Sequence, residues 1–169
     1  MKMRHWLAPL MMGTALVLGG SSAAEADPPP GTPAQLMVLY ATQADAGAIA
    51  QGILDEDKCR QLHMVEKLGQ PPFSAYNHYD LVDKRDLTLA KAQAQDVALA
   101  NGRKLTVTFM DKTDDGRFRV SSAITDASGK ANTVTVATPG GQPVYVAGPG
   151  YQQGVLVLVL TVQPPPCRK

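Results

Sequence analysis

Three side chains capable of acid–base chemistry alternate along a short segment of this chain: Tyr76, His78 and Asp80. In a strand, residues two apart point to the same face, which would place an imidazole between a phenol and a carboxylate. Because histidine titrates near neutral pH, such a group suits general acid–base catalysis. The sequence offers no nucleophile elbow, no catalytic-cysteine context and no second carboxylate cluster to complete an active site. We therefore predict no catalytic residue and interpret the segment as a solvent-facing strand edge.

Tyr151 lies in a glycine-rich segment, Gly148–Gly154, whose glycines would let backbone amides approach an anion. The glycine spacing does not match the dinucleotide-binding fingerprint, and the segment leads into a strand rather than a helix. We predict a flexible turn before the last strand. Its tyrosine would contribute to a binding surface together with Tyr76, His78 and Tyr79.

One segment matches the first half of a calcium-binding loop, with oxygen-bearing side chains at alternate positions before a glycine: Asp111, Thr113, Asp115 and Gly116. The second half does not match, since Ser122 stands where a bidentate glutamate is needed. The flanking residues also have strand character rather than helix character. We predict a hairpin turn here instead of a calcium site.

Two cysteines and few histidines limit metal chemistry. Cys59 and His63 have helical i, i+4 spacing but lack two further zinc ligands, so we predict no metal site and no cofactor. An even cysteine count in an exported chain favours an internal disulfide between Cys59 and Cys167. Two free thiols or an intermolecular bridge remain as alternatives.

The first 26 residues have the features of an export signal. Basic residues at positions 2 and 4 precede an apolar run from Trp6 to about Leu18, and small residues occupy positions 24 and 26. The apolar run is short for a membrane span. We predict cleavage near Ala26, a periplasmic or secreted protein, and no membrane insertion of the mature chain.

The charge of the chain is balanced. It contains 16 Lys and Arg against 15 Asp and Glu, and removal of the predicted signal leaves equal numbers of each sign. A neutral chain without a basic stripe lacks the electrostatic footprint of nucleic-acid binding. We therefore predict no nucleic-acid partner.

After the signal, we predict a Pro-rich spacer over residues 27–35, one β-rich domain over 36–163, and a Pro-rich tail over 164–169. A strand is predicted from Leu36 to Thr42. Apolar residues then recur with helical spacing, which predicts one helix, or two with a break near Asp55, ending before Gly69.

The rest of the domain has strand character. We predict strands over 76–82 and 87–89 with a turn at Asp83–Asp86, a hairpin of 104–110 and 118–124 around Gly116, and strands over 133–137 and 143–147. The apolar run 154–162 lacks polar alternation, which indicates a central strand covered on both faces. Seven or eight short strands predict an antiparallel β-sandwich or small barrel with an N-terminal helical element; a parallel α/β fold is the weaker alternative.

Residues 71–82 (PPFSAYNHYDLV), Asn101–Leu105 and Val146–Gly148 resemble segments of short secreted bacterial β-rich proteins. The resemblance implies an exported β domain and brings no activity or site residue with it.

These observations predict an exported, non-enzymatic binding or envelope assembly module whose partner is a protein or a glycan. The alternatives are a small secreted hydrolase that uses His78 and Asp80 with a nucleophile such as Ser74, or an inhibitor or structural envelope protein that presents its Pro-rich leader or tail.

Overall fold

The computed structural model describes residues 31–43 and 67–165. The predicted export signal, the predicted helical segment up to residue 66 and both cysteines of the predicted disulfide, Cys59 and Cys167, lie outside the described residues. At the end of the predicted helical segment, Lys67 and Leu68 have helical backbone.

In the described part of the chain, eight strands form two four-stranded antiparallel sheets, and a short 3₁₀ helix, Phe73–Ala75, precedes the second strand. The strands are β1 (Thr32–Thr42), β2 (His78–Leu89), β3 (Ala94–Ala98), β4 (Lys104–Lys112), β5 (Phe118–Thr125), β6 (Ala131–Thr138), β7 (Pro143–Tyr151) and β8 (Gly154–Val162). The first sheet has the order β2-β1-β8-β7 and the second β3-β4-β5-β6. Neither sheet closes on itself within the described residues, and every strand pair is antiparallel. The mainly-β prediction is confirmed, and the parallel alternative is wrong.

One hydrophobic cluster joins the facing sides of the two sheets. The first sheet contributes Leu36, Val38, Leu158 and Leu160, and the second contributes Leu105, Val107, Phe109, Phe118 and Val120. Along each of these strands the residues that belong to this cluster lie two apart, because successive side chains of a strand alternate between faces. The alternation predicted for 104–110 and 118–124 is therefore confirmed, with Ile124 half-buried against the same cluster.

Three hairpin turns of the second sheet share one construction. In each, the last residue of the three-residue loop is a glycine with φ between 77° and 83°: Gly102, Gly116 and Gly129. The backbone N–H of the residue three positions earlier donates to the carbonyl of the residue after the glycine, at 2.8 to 2.9 Å. This is the three-residue hairpin loop in which glycine supplies the left-handed conformation. The predicted hairpin around Gly116 is confirmed.

The strand β8 is central and buried on both faces. It lies between β1 and β7, and every residue from Leu156 to Val162 is buried. The even-numbered residues of β8 from Leu156 to Val162 contribute to the core between the sheets. Val157 and Val159 belong to a second cluster on the outer face of the first sheet. The prediction of a central strand is confirmed.

The second cluster covers the outer face of the first sheet with residues from the segment before β2. Leu68 and Phe73 pack there against Leu39 and Val157. Tyr79 points to the same face and is 1% exposed. Its hydroxyl donates to the carbonyl of Phe73 at 3.0 Å and to that of Leu68 at 3.3 Å. These hydrogen bonds hold residues 67–76 against the outer face of the first sheet.

The predicted turn at Asp83–Asp86 is wrong, because β2 runs without a break from His78 to Leu89. It is an edge strand, so its charged side chains stay in water, as the 2.7 Å ion pair of Arg85 with Asp83 shows. A bulge opposite Val38 and Leu39 leaves Val82 without a direct partner on β1. Charges and bulges on an edge strand protect it from pairing with other chains, and they resemble turn signals in a sequence.

Two further boundaries differ from the sequence predictions. The strand β1 begins at Thr32, so residues 32–35 belong to the sheet rather than to the Pro-rich spacer. The strand β7 continues through Gly148–Gly150, with an irregularity between Ala147 and Gly150, and the turn before β8 is only Gln152 and Gln153. The predicted long glycine-rich turn is therefore wrong. Prolines and glycines in these strands lie near strand ends or on an edge, where a missing ladder bond costs little.

Replacing Tyr79 by phenylalanine is expected to lower the free energy of unfolding by about 1 to 2 kcal/mol, because the carbonyl of buried Leu68 loses this donor, whereas the carbonyl of Phe73 keeps the backbone N–H of Tyr76. Tyr145→Phe is the matched control. The Tyr145 hydroxyl is also buried but has no hydrogen-bond partner in the described part of the chain, so its removal should be neutral or slightly stabilising. Urea unfolding of both variants measures the difference. Equal effects of the two substitutions would contradict the role given to Tyr79.

Candidate binding surface

His78 and Asp80 are brought together at the start of β2. His78 Nε2 lies 3.2 Å from Asp80 Oδ2, and the two side chains are 29% and 49% exposed. The contact follows from the strand, since residues two apart share a face. The prediction that these two residues share a face is confirmed. Tyr76 does not join them, because it precedes β2 and packs against the second cluster.

The register of β1 and β2 adds a tyrosine to this pair. Tyr40 lies directly opposite Asp80, and Thr42 lies directly opposite His78. Directly opposed residues of an antiparallel pair project to the same face. Tyr40, His78 and Asp80 therefore form one continuous patch at the end of the first sheet, on the side that faces the second sheet.

The β7–β8 hairpin brings a second aromatic ring to the same place. The rings of Tyr40 and Tyr151 meet edge to face, with centroids 5.4 Å apart and an interplanar angle of 86°. The backbone N–H of Gln153 donates to the Tyr40 hydroxyl at 3.4 Å. Both rings are half-buried. They present fixed aromatic surface at small entropic cost, which is how tyrosines serve in many binding surfaces.

The second sheet contributes Asn101 from the turn between β3 and β4. Its Nδ2 donates to the carbonyl of Gly150 at 3.3 Å, and its Oδ1 accepts from the backbone N–H of Arg103 at 3.1 Å. This side chain connects the ends of the two sheets beside the tyrosines. We call the surface formed by Tyr40, His78, Asp80, Asn101 and Tyr151 the tyrosine end.

Of the four residues predicted for a binding surface, two belong to the tyrosine end: His78 and Tyr151. Tyr79 is a core residue, because it points to the opposite face of β2 and is buried there. Tyr76 is half-buried on that same outer side. Adjacent residues of a strand point to opposite faces, so a sequence cluster of aromatic residues is divided between two surfaces.

The hairpin that resembles half a calcium loop forms a separate feature at the other end of the second sheet. Asp111, Lys112, Thr113, Asp114 and Arg119 line a shallow depression of about 260 Å³. Arg119 Nη1 approaches Asp111 Oδ2 at 3.4 Å. The Thr113 hydroxyl donates to the Asp115 carboxylate, and this hydrogen bond lowers the pKa of Asp115. Within the described residues, no group of three or more ligating side chains is placed to hold a metal ion.

A larger cavity of about 700 Å³ lies against the outer face of the first sheet. Among the described residues it is lined by Lys67, Gln142, Pro143, Tyr145, Pro165 and the glycines between β6 and β7. The Tyr145 ring packs against Phe73, with centroids 6.1 Å apart. Burial raises the pKa of Tyr145 to about 12.

This pKa shift predicts a loss of stability at alkaline pH. An unfolded tyrosine releases its proton near pH 10, whereas folded Tyr145 holds it to about pH 12. Unfolding therefore releases a proton between these values, and stability falls as the pH rises through that window. Urea midpoints measured across the window should fall less steeply for Tyr145→Phe than for the unmodified protein. Parallel curves would show that Tyr145 makes no such contribution.

Tyr40 and Asn101 were not predicted from the sequence as part of a binding surface. Tyr40 lies inside an apolar strand, where its position predicts full burial, and it is only half-buried because it lies near the end of that strand. Asn101 precedes Gly102 in a turn, and asparagine is common in turns for backbone reasons, so its presence there does not by itself indicate a binding role. The register between β1 and β2 and the contact between sheets, which bring these residues to His78, are properties of the folded chain.

No described helix is long and apolar enough to cross a membrane. Comparison with known proteins finds no matching family, no similar curated protein and no matching solved structure. The geometry of the chain itself is therefore the basis for a functional proposal.

Proposed function

We propose that this protein is an exported, non-enzymatic binding module of the cell envelope that recognises a protein or glycan through the tyrosine end. The observation that carries this proposal is the convergence there of two half-buried tyrosines with three polar side chains. These residues come from β1, β2, β7 and the turn between β3 and β4. The export signal predicted from the sequence of residues 1–26 supports a periplasmic or secreted location.

The chemistry of the tyrosine end suits a polar ligand with apolar faces. Tyrosine rings offer apolar surface, while the imidazole, carboxylate and amide offer hydrogen-bond donors and acceptors. Sugar rings and extended peptide segments both combine apolar faces with regularly spaced polar groups. Because the surface is built on strand ends and short turns, it is held in place before the ligand arrives, which lowers the entropy cost of binding.

A small hydrolase is the second candidate function, favoured by the 3.2 Å contact between His78 and Asp80. A histidine held by a carboxylate is half of a nucleophile-activating arrangement. Ser74 is the nucleophile considered from the sequence, and it lies on the 3₁₀ helix before β2. No hydrogen bond joins it to His78 among the contacts of the described residues.

Two assays on the purified exported protein separate these functions. Binding to a glycan array and to isolated envelope proteins should be lost in Tyr151→Ala and kept in Asp115→Ala, an exposed change at the opposite end. A broad screen of ester, peptide and glycoside substrates should show no turnover. Turnover that disappears in His78→Ala would replace the binding proposal with the hydrolase.

A further inference from the structure

Among residues 31–43 and 67–165, four strands lie at the edges of the two sheets, and three of them carry features that oppose pairing with another chain. The strand β2 has the charged run Asp83–Asp86 and a bulge. The strand β7 contains Pro143, Pro149 and an irregular register. The strand β3 has only five residues and an outward carboxylate at Asp96. Short length, charge, proline and bulges are the usual protections of sheet edges.

The strand β6 has none of these protections. Its eight residues, Ala131–Thr138 (ANTVTVAT), include no charge, no proline and no glycine, and they pair regularly with β5. Residues 131–135 are all exposed. Val134, in the middle of the strand, is 45% exposed and is the most exposed large hydrophobic residue in the described part of the chain. Threonine and valine also favour extended backbone.

The hydrogen-bonding groups that β6 leaves free follow from its pairing with β5. The N–H of Asp126 donates to the carbonyl of Lys130 at 2.9 Å, and the register continues from there without a shift. Alternate residues of an antiparallel strand direct both backbone groups to the same neighbour. Even-numbered residues of β6 therefore bond to β5. Ala131, Thr133, Thr135 and Ala137 direct their N–H and C=O groups away from the sheet.

We propose that β6 pairs with β6 of a second copy of this chain, antiparallel and with a two-fold axis at Val134. This register places Val134 opposite its own copy, Thr133 opposite Thr135, and Ala131 opposite Ala137. All four outward-facing residues of each strand then form backbone hydrogen bonds, and the two second sheets become one sheet of eight strands. The pairing is independent of the tyrosine end.

A second copy fits this edge because the strand is complementary to itself. Two-fold pairing requires each residue to accept its counterpart. Over residues 131–137, valine meets valine, threonine meets threonine and alanine meets alanine at five positions, and Asn132 lies opposite Val136 at the other two. The flanking Lys130 residues come to opposite ends of the paired strands, so like charges are not brought together. A pair of edges alone buries little area, and a weak, concentration-dependent dimer is therefore expected.

Sedimentation velocity of the exported protein, from low micromolar to near-millimolar concentration, tests the proposal. The unmodified protein should shift from monomer to dimer, and Val134→Lys should remain a monomer because two ammonium groups would meet at the axis. Val82→Lys, on the protected edge β2, is the matched control and should still dimerise. A protein that stays monomeric throughout, or a dimer that persists in Val134→Lys, would overturn the proposal.

Mixing two charge variants tests the two-fold register directly. Val134→Lys and Val134→Glu should each be monomeric alone and should associate when mixed, because residue 134 of one copy lies opposite residue 134 of the other. No association on mixing, with both variants folded by circular dichroism, would contradict this register.

Amide hydrogen exchange provides a readout that does not depend on substitutions. The amides of Thr133, Thr135 and Ala137 should become protected as concentration rises, while those of Asn132 and Val134 are protected at every concentration through β5. Concentration-independent exchange at the odd-numbered positions would rule out the pairing. Protection that appears only with an unrelated envelope protein would show that the edge takes a different partner.

Discussion

Leu39→Ala should lower the free energy of unfolding by about 2 to 5 kcal/mol, as much as Leu36→Ala on the opposite face of β1. Leu36 is 1% exposed in the core between the sheets, and Leu39 is fully buried in the second cluster on the outer face. Both truncations leave a cavity among packed side chains. Urea unfolding, monitored by far-ultraviolet circular dichroism, measures the free energy of unfolding of both variants.

The effect of Leu39→Ala distinguishes this fold from a sandwich whose outer faces are both solvated. If the outer face of the first sheet were solvated, Leu39→Ala would cost almost nothing while Leu36→Ala would remain costly. Val82→Ala, on the edge strand and 37% exposed, is the control and should change stability by no more than about 0.5 kcal/mol. A near-zero effect of Leu39→Ala would contradict the two-sided burial of β1 and β8.

Gly154→Ala is expected to cost about 3 kcal/mol, at the upper end for overpacking, because the nearest atom to the added carbon belongs to the backbone of β1, which cannot move aside as a side chain can. A Cβ at this position would lie 2.0 Å from the carbonyl oxygen of Ala41 and 3.0 Å from its carbonyl carbon. The start of β8 would have to move away from β1. Thermal or urea unfolding of the variant measures the loss.

Gly150→Ala is the matched control, four residues away on the other side of the same hairpin. The nearest atom to a Cβ there is the carbonyl oxygen of Gly154, at 4.0 Å, so the change should be neutral within about 0.5 kcal/mol. Equal costs at the two glycines would show that loss of glycine as such, and not the close approach of β1, determines the result.

Local patterns were sufficient for much of this fold. The alternation of Leu105, Val107 and Phe109 correctly predicted a strand and its buried face. Gly116 correctly predicted the hairpin turn that follows this strand. The unbroken apolar run of β8 indicated a central position, because only a strand covered on both faces has no polar side.

The features that were not predicted from the sequence depend on which residues are neighbours in the folded chain. The charged run Asp83–Asp86 has the composition of a turn, and only its place at a sheet edge makes it compatible with a strand. The glycines at 148 and 150 belong to β7 for the same reason, since an edge strand tolerates an irregular register. At the tyrosine end, alternation placed His78 with Asp80, but the approach of Tyr40 and Asn101 required the register and the packing of the two sheets.

The most direct test of the binding proposal is site-specific photo-crosslinking in cells that export the full-length chain. A benzophenone side chain replaces Tyr151 at the tyrosine end in one variant and Asp115 at the opposite end in the other, and both products are analysed by mass spectrometry. We predict a discrete adduct with one envelope protein or glycan from position 151, reduced by Tyr40→Ala, and no such adduct from position 115. The same adduct from both positions, or none from position 151, would contradict recognition through the tyrosine end.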